Sequence, residues 1–99
     1  MDFPHKAAVI QTILDAAPGI KKIFLFGSRA RGDNKNPHAD IDIGIIGSRK
    51  ADFSVLAKIA DALDCLDTLY SIDVSDFTER NDAFSQQAFS EMVVLYEKK

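Results

Sequence analysis

A small α/β fold, with one mixed sheet of three main strands in the order 1-2-3 and helices packed against it, is predicted by three observations. Some stretches repeat apolar residues at helical spacing, others alternate with period two, and one short run is apolar throughout. These segments follow one another as helix, strand, strand, helix, strand, helix, the pattern of a single α/β unit. Ninety-nine residues with an apolar content of 46% suffice for one core and not for two, so residues 1–99 are read as one domain.

The first helix is expected from Pro4 to Ala17, where Val9, Ile10, Ile13, Leu14 and Ala17 share a face and Pro18-Gly19 stops the run. Ile23-Phe24-Leu25-Phe26 is too short and too evenly apolar for a surface helix and reads as a buried strand ending at Gly27. Ser28 to Arg31 has room for one helical turn before Gly32, and Asp33 to His38 is turn chemistry. Asp40 to Ile46 alternates, with Ile41, Ile43 and Ile45 inward and Asp40, Asp42 and Gly44 on a second, exposed face. From Asp52 to Leu66 the stripe Phe53, Leu56, Ile59, Ala60, Leu63 and Leu66 marks the longest helix. Leu69 to Phe77 alternates again, with Ile72 and Val74 inward. A last helix is expected from Glu79 to Glu91, burying Phe84, Ala88 and Phe89. Met92 to Tyr96 fits either a terminal strand or a continuation of that helix.

Composition narrows the function. The net charge is −3, so no general basic field attracts duplex nucleic acid. Between Lys21 and Lys35, however, five basic residues stand against the single acid Asp33. Positive charge concentrated around a Gly-Ser turn suits a small polyanion. Cys65 is the only cysteine, which rules out an intrachain disulfide. No apolar run approaches the roughly 20 residues a membrane-spanning helix needs, and Asp2 stands where a signal peptide carries basic charge. The expectation is a cytoplasmic protein.

Topology brings the polar motifs together. A short turn between the first two strands lets them run antiparallel, which sets Gly27-Ser28 beside Asp40. A helix between the second and third strands implies a parallel crossover, so both strands start at the same edge. Asp40 and Asp42 lie two apart and project from one face, with Cα atoms about 6.6 Å apart. Asp73 shares its face with Ser71 and Ser75, whereas Asp76 shares that of Ile72 and Val74, so Asp73 is preferred as the third carboxylate.

Carboxylates gathered at one edge repel one another unless cations neutralise them. Hard oxygen ligands select Mg²⁺ or Mn²⁺, and two such ions can clamp the attacking and leaving oxygens of a displacement at phosphorus. Gly27 lets the backbone approach a phosphate, Ser28 supplies a hydroxyl or N–H, and Arg29 and Arg31 can stabilise a leaving pyrophosphate.

Gly27-Ser28-Arg29-Ala30-Arg31-Gly32, Asp40-Ile41-Asp42 and Ile72-Asp73-Val74 together resemble the minimal nucleotidyltransferases of the DNA polymerase β-like superfamily, small proteins often encoded beside a HEPN-domain partner. The resemblance covers nearly the whole chain. It implies a nucleotidyltransferase-like fold and an enzyme that transfers a nucleoside monophosphate, AMP from ATP, onto a hydroxyl. In antitoxin members the acceptor is a tyrosine of a HEPN toxin. By this likeness Asp40, Asp42 and Asp73 hold the metal ions, Asp73 can also act as base, and Gly27 and Ser28 bind the triphosphate. Two departures adjoin the site: Ala39 stands where the family usually has Ser, and the segment from Ser28 to Asp40 is about one residue longer than the commonest pattern.

Blander readings accompany these. An isolated Asp-x-Asp is usually solvated charge, His38 reads as an exposed loop residue, Cys65 as inert packing, and Asp61, Asp64 and Asp67 as a solvated helix face. Neither GxxxxGK[ST] nor GxGxxG is present, which disfavours a P-loop or a dinucleotide-binding unit. The few residues after Phe77 leave little chain with which to grip a base and acceptor, so a partner protein or a second copy is expected to complete the pocket. A different class of function competes, in which the fold neutralises a HEPN partner by stoichiometric binding and nucleotide only stabilises it.

Overall fold

The computed structural model describes residues 6–27, 41–66 and 72–98. Ser28 to Asp40, which include the expected helical turn, Arg29, Arg31, His38, Ala39 and Asp40, lie outside the described residues, as do Asp67 and Ser71. Among the described residues, three helices and four strands follow in the order α1 (Lys6–Ala16), β1 (Ile20–Phe26), β2 (Ile41–Gly47), α2 (Phe53–Asp64), β3 (Ile72–Asp76), α3 (Ala83–Glu91) and β4 (Val93–Glu97). Among those residues no helix is long and apolar enough to cross a membrane.

The sheet has four strands in the order β3-β2-β1-β4, one more than the expected 1-2-3. β1 and β2 pair antiparallel, and β2 and β3 pair parallel across the α2 crossover, both as expected. The added strand settles the ambiguity at residues 92–96. Met92 leaves α3 with extended torsions, φ −66° and ψ 147°, and the β-branched and aromatic run Val93 to Tyr96 pairs antiparallel with β1. A register shift between Ile23 and Phe24 leaves Leu95 as an extra residue. Leu95 and Tyr96, consecutive in sequence, can therefore both pack against the same core cluster.

With neighbours on both edges and helices on both faces, β1 is buried from Ile23 to Phe26, which is why its sequence does not alternate. On one face Ile23 and Leu25 join Ile41, Ile43 and Ile45 of β2, Val9 and Ile13 of α1, and Ile59 and Leu63 of α2. Asp52 caps α2 by accepting a hydrogen bond from the Val55 N–H at 3.0 Å, and Cys65 closes it through its N–H to the Ala62 carbonyl at 3.2 Å.

On the other face Phe24, Phe26 and Phe77 form an aromatic cluster closed by Ala88 of α3. The alternate face of β2 is therefore not solvent-exposed throughout, contrary to expectation. Gly44 is buried, and a Cβ there would run into the Phe24 ring, so the missing side chain is what lets the ring lie across the strand.

Other expectations fail at element ends. Phe53, in the first turn of α2, is 86% exposed, and Ala60 is exposed too, because the buried stripe runs through Ile59 and Leu63. Cys65 is exposed, being the helix cap and not part of the packing. The last helix starts at Ala83 instead of Glu79: Glu79 has φ 61°, which breaks the helix, and Asp82 is the N-cap. Phe84, expected inside, is 54% exposed.

Candidate active site

β1 delivers Gly27 to the sheet edge with φ +81°, a conformation in which a side chain is strained. Phe26, the residue before it, pairs with Asp42 of β2, and Asp42 pairs in turn with Asp73 of β3. One antiparallel and one parallel ladder thus place the end of one strand and the starts of two others at one edge. A Cβ on Gly27 would stand only 2.6 Å from Asp42 Oδ2, so the Gly27 backbone lies directly against that carboxylate. Asp42 is half-buried and Asp73 exposed.

These residues line a groove of about 450 Å³. Gly27, Asp42, Asp73 and Ser75 come from the sheet, and Phe84, Gln87 and Glu91 come from α3. The α3 residues recur at helical spacing, so one face of the helix forms the second wall. Sequence reasoning assigns none of the α3 wall a function; the periodicity there marks the helix and its apolar face only.

Asp82 holds this wall in place. Its carboxylate accepts hydrogen bonds from the Ser85 hydroxyl at 2.6 Å and the Ser85 N–H at 3.3 Å, and pairs with Arg80 at 2.9 Å. The Ser85 hydroxyl, then the Arg80 guanidinium, hold the Asp82 carboxyl well below the usual carboxylate range.

Asp76 belongs to a different structure. Its Oδ2 accepts from the Ala51 N–H at 2.8 Å, and its Oδ1 accepts from the Thr78 N–H at 3.0 Å and the Thr78 hydroxyl at 2.6 Å. The Thr78 oxygen accepts in turn from the Gly47 N–H at 2.9 Å. Asp76 fastens the end of β3 to the β2–α2 connection, beside a separate cavity of about 360 Å³ at the opposite end of the sheet. Strand parity thus separates a groove carboxylate, Asp73, from a structural one, Asp76.

The donor chemistry at Asp42 and Asp73 fits a hard divalent cation, since two carboxylates on facing register positions repel each other unless a cation offsets the charge. Among the described residues no third His, Cys, Asp or Glu joins them in a cluster sized for a metal ion. Asp40, Ser28, Arg29 and Arg31, the other expected site residues, lie outside the described residues.

The sequence profile of the family described as polymerase beta, nucleotidyltransferase, matches residues 9–99. The chain belongs to that family. This nucleotidyltransferase is similar to a protein of Haemophilus influenzae named probable protein adenylyltransferase MntA, with 27% identity over 94 residues that cover 95% of this chain and 82% of the relative. Its fold matches a toxin–antitoxin structure with AMP-PNP at a TM-score of 0.71 and 24% identity, covering 95% of this chain and 74% of that one. It also matches a tri-AMPylated Shewanella oneidensis HEPN toxin in complex with MNT antitoxin at a TM-score of 0.65 and 23% identity, covering 95% of this chain and 71% of the other. The mixed α/β architecture derived above is thus the nucleotidyltransferase fold.

Proposed function

We propose that this nucleotidyltransferase transfers AMP from ATP to a tyrosine hydroxyl of a HEPN-type toxin and so acts as an antitoxin in the cytoplasm. The observation that carries the reading is the meeting of Gly27, Asp42 and Asp73 at one sheet edge in a groove open to a ligand. Family membership, the adenylyltransferase relative and the AMPylated toxin complex among the similar structures support the reading.

In this reading Asp40, Asp42 and Asp73 would hold two Mg²⁺ ions, with Mn²⁺ as the alternative, and the metal would supply neutralisation of phosphate charge. Gly27, without a side chain, lets the triphosphate approach the backbone, and Ser28 donates a hydrogen bond to it. Asp73, the exposed carboxylate, accepts the proton of the acceptor hydroxyl. The hydroxyl oxygen bonds to the α-phosphorus while the bond to pyrophosphate breaks, and Arg29 and Arg31 stabilise the charge that leaves. Residues 1–99 work as one nucleotidyltransferase domain, and the partner, or a second copy, covers the open side of the groove.

Intact mass measurement of the HEPN partner after incubation with this chain, ATP and Mg²⁺ tests the proposal. A gain of one or more AMP units is expected. Neutralisation of the partner with no gain in mass would replace transfer by stoichiometric binding.

A further inference from the structure

The sheet wall of the groove is built for phosphate and metal, but a nucleotide also carries a base. Among the described groove residues Phe84 alone has a large exposed apolar surface. Its aromatic neighbours are buried, Phe77 almost completely and Phe26 at 8% exposure, yet Phe84 is 54% exposed. It is nevertheless held firmly. Its ring lies nearly parallel to Phe77, at 17° with centroids 5.8 Å apart, and meets Phe26 edge-on at 86° and 6.0 Å. The Arg80 guanidinium, fixed by Asp82, sits 5.5 Å from its centroid.

A fixed aromatic ring that keeps an exposed surface in a groove is a stacking platform, because every nucleobase has a π-face to offer. Its place matters as much as its chemistry. Phe84 lines the same groove as Gly27, Asp42 and Asp73 but comes from α3 and not from the sheet, so it is available to the base of a nucleotide whose phosphates lie at the sheet edge. Gln87, the next residue on the α3 wall, offers an amide donor and acceptor beside the platform.

We infer that Phe84 is the stacking floor for the base of the bound nucleoside triphosphate. The inference rests on the proposed nucleotide site and adds a base subsite to it. Stacking of this kind is worth about 1–3 kcal/mol per base, or about a thirtyfold change in affinity at the middle of that range.

Calorimetric titration of the full chain with ATP and with inorganic tripolyphosphate, each with Mg²⁺, tests it, because the two ligands share the phosphates and differ in the nucleoside. The wild-type chain is expected to bind ATP about thirtyfold more tightly than tripolyphosphate. Phe84→Ala should remove most of that advantage while leaving tripolyphosphate affinity unchanged, and Phe84→Trp should retain it. Equal wild-type affinities for the two ligands would overturn the base subsite without requiring any variant to fold. So would a Phe84→Ala chain that keeps the ATP advantage, including one that has lost affinity for a protein partner instead. Binding of neither ligand to the wild-type chain would overturn the nucleotide site itself together with this subsite.

Discussion

Asp42 and Asp73 are register partners on adjacent parallel strands, and the Gly27 backbone lies against the Asp42 carboxylate. This relationship follows from the pairing of the strands: the antiparallel β1–β2 ladder and the parallel β2–β3 ladder bring the end of one strand beside the starts of two others. The same edge thus receives a glycine suited to phosphate and two carboxylates suited to a cation.

Asp73 and Asp76, three residues apart on one strand, should separate chemistry from stability. Asp73→Asn is expected to lower nucleotidyl transfer by about 100-fold or more. Its effect on stability should stay within the roughly 0.5 kcal/mol of an ordinary surface change. Asp76→Ala removes the partner of the Ala51 N–H and of Thr78 and is expected to cost about 2–3 kcal/mol in urea unfolding, with transfer per folded molecule retained. Parallel rate and unfolding measurements on the two variants check the contrast.

Gly27→Ala is expected to damage the site more than the fold. The positive φ costs about 1–2 kcal/mol for a residue with a side chain, and the new Cβ must displace the Asp42 carboxylate. Transfer rate should therefore fall further than the unfolding midpoint indicates, which kinetics alongside thermal melting would show.

Much of this geometry was legible in the sequence. The alternation of Ile41, Ile43 and Ile45 and the helix between β2 and β3 gave the parallel pairing, and parity alone distinguished Asp73 from Asp76. The fourth strand was not legible, because Val93 to Tyr96 is as apolar as a buried helix end and only its pairing with β1 decides the matter. The α3 wall was missed for a related reason. Periodicity shows that Phe84 and Ala88 share a face, but not that this face stops short of covering Phe84 and borders the groove instead. The buried Gly44 was read as part of an exposed face, since period two cannot reveal that the Phe24 ring reaches over it.

Gly44→Ala should therefore overpack the aromatic layer, at a cost of about 1–3 kcal/mol in urea unfolding. Combining it with Phe24→Leu should show coupling, with the pair less destabilised than the sum of the single changes. Simple additivity would contradict the contact.

The α3 cap should make stability depend on acid pH. Asp82 has its carboxyl held below its ordinary value of 3.8, first by Ser85 and then by Arg80. The unfolded chain therefore takes up that proton before the folded one does, so the stabilisation is complete above about pH 3.8 and is lost as pH falls through the lower folded value. Asp52, the α2 cap, is shifted the same way, chiefly by Ser54 and then by the Val55 N–H. Asp82→Ala should lower the melting midpoint at pH 7, and the difference from wild type should shrink progressively below pH 3.8. A difference that is constant across that range would contradict the assignment.

Under the proposed function, Asp42 and Asp73 form the site of nucleotidyl transfer. Incubation of the chain and its HEPN partner with Mg²⁺ and ATP labelled at either the α- or the γ-phosphate tests it most directly. The α-label, and not the γ-label, is expected to become covalently attached to the partner, and Asp42→Asn with Asp73→Asn is expected to abolish attachment in a chain that still folds. Undiminished attachment by that double variant, or attachment of the γ-label, would contradict it.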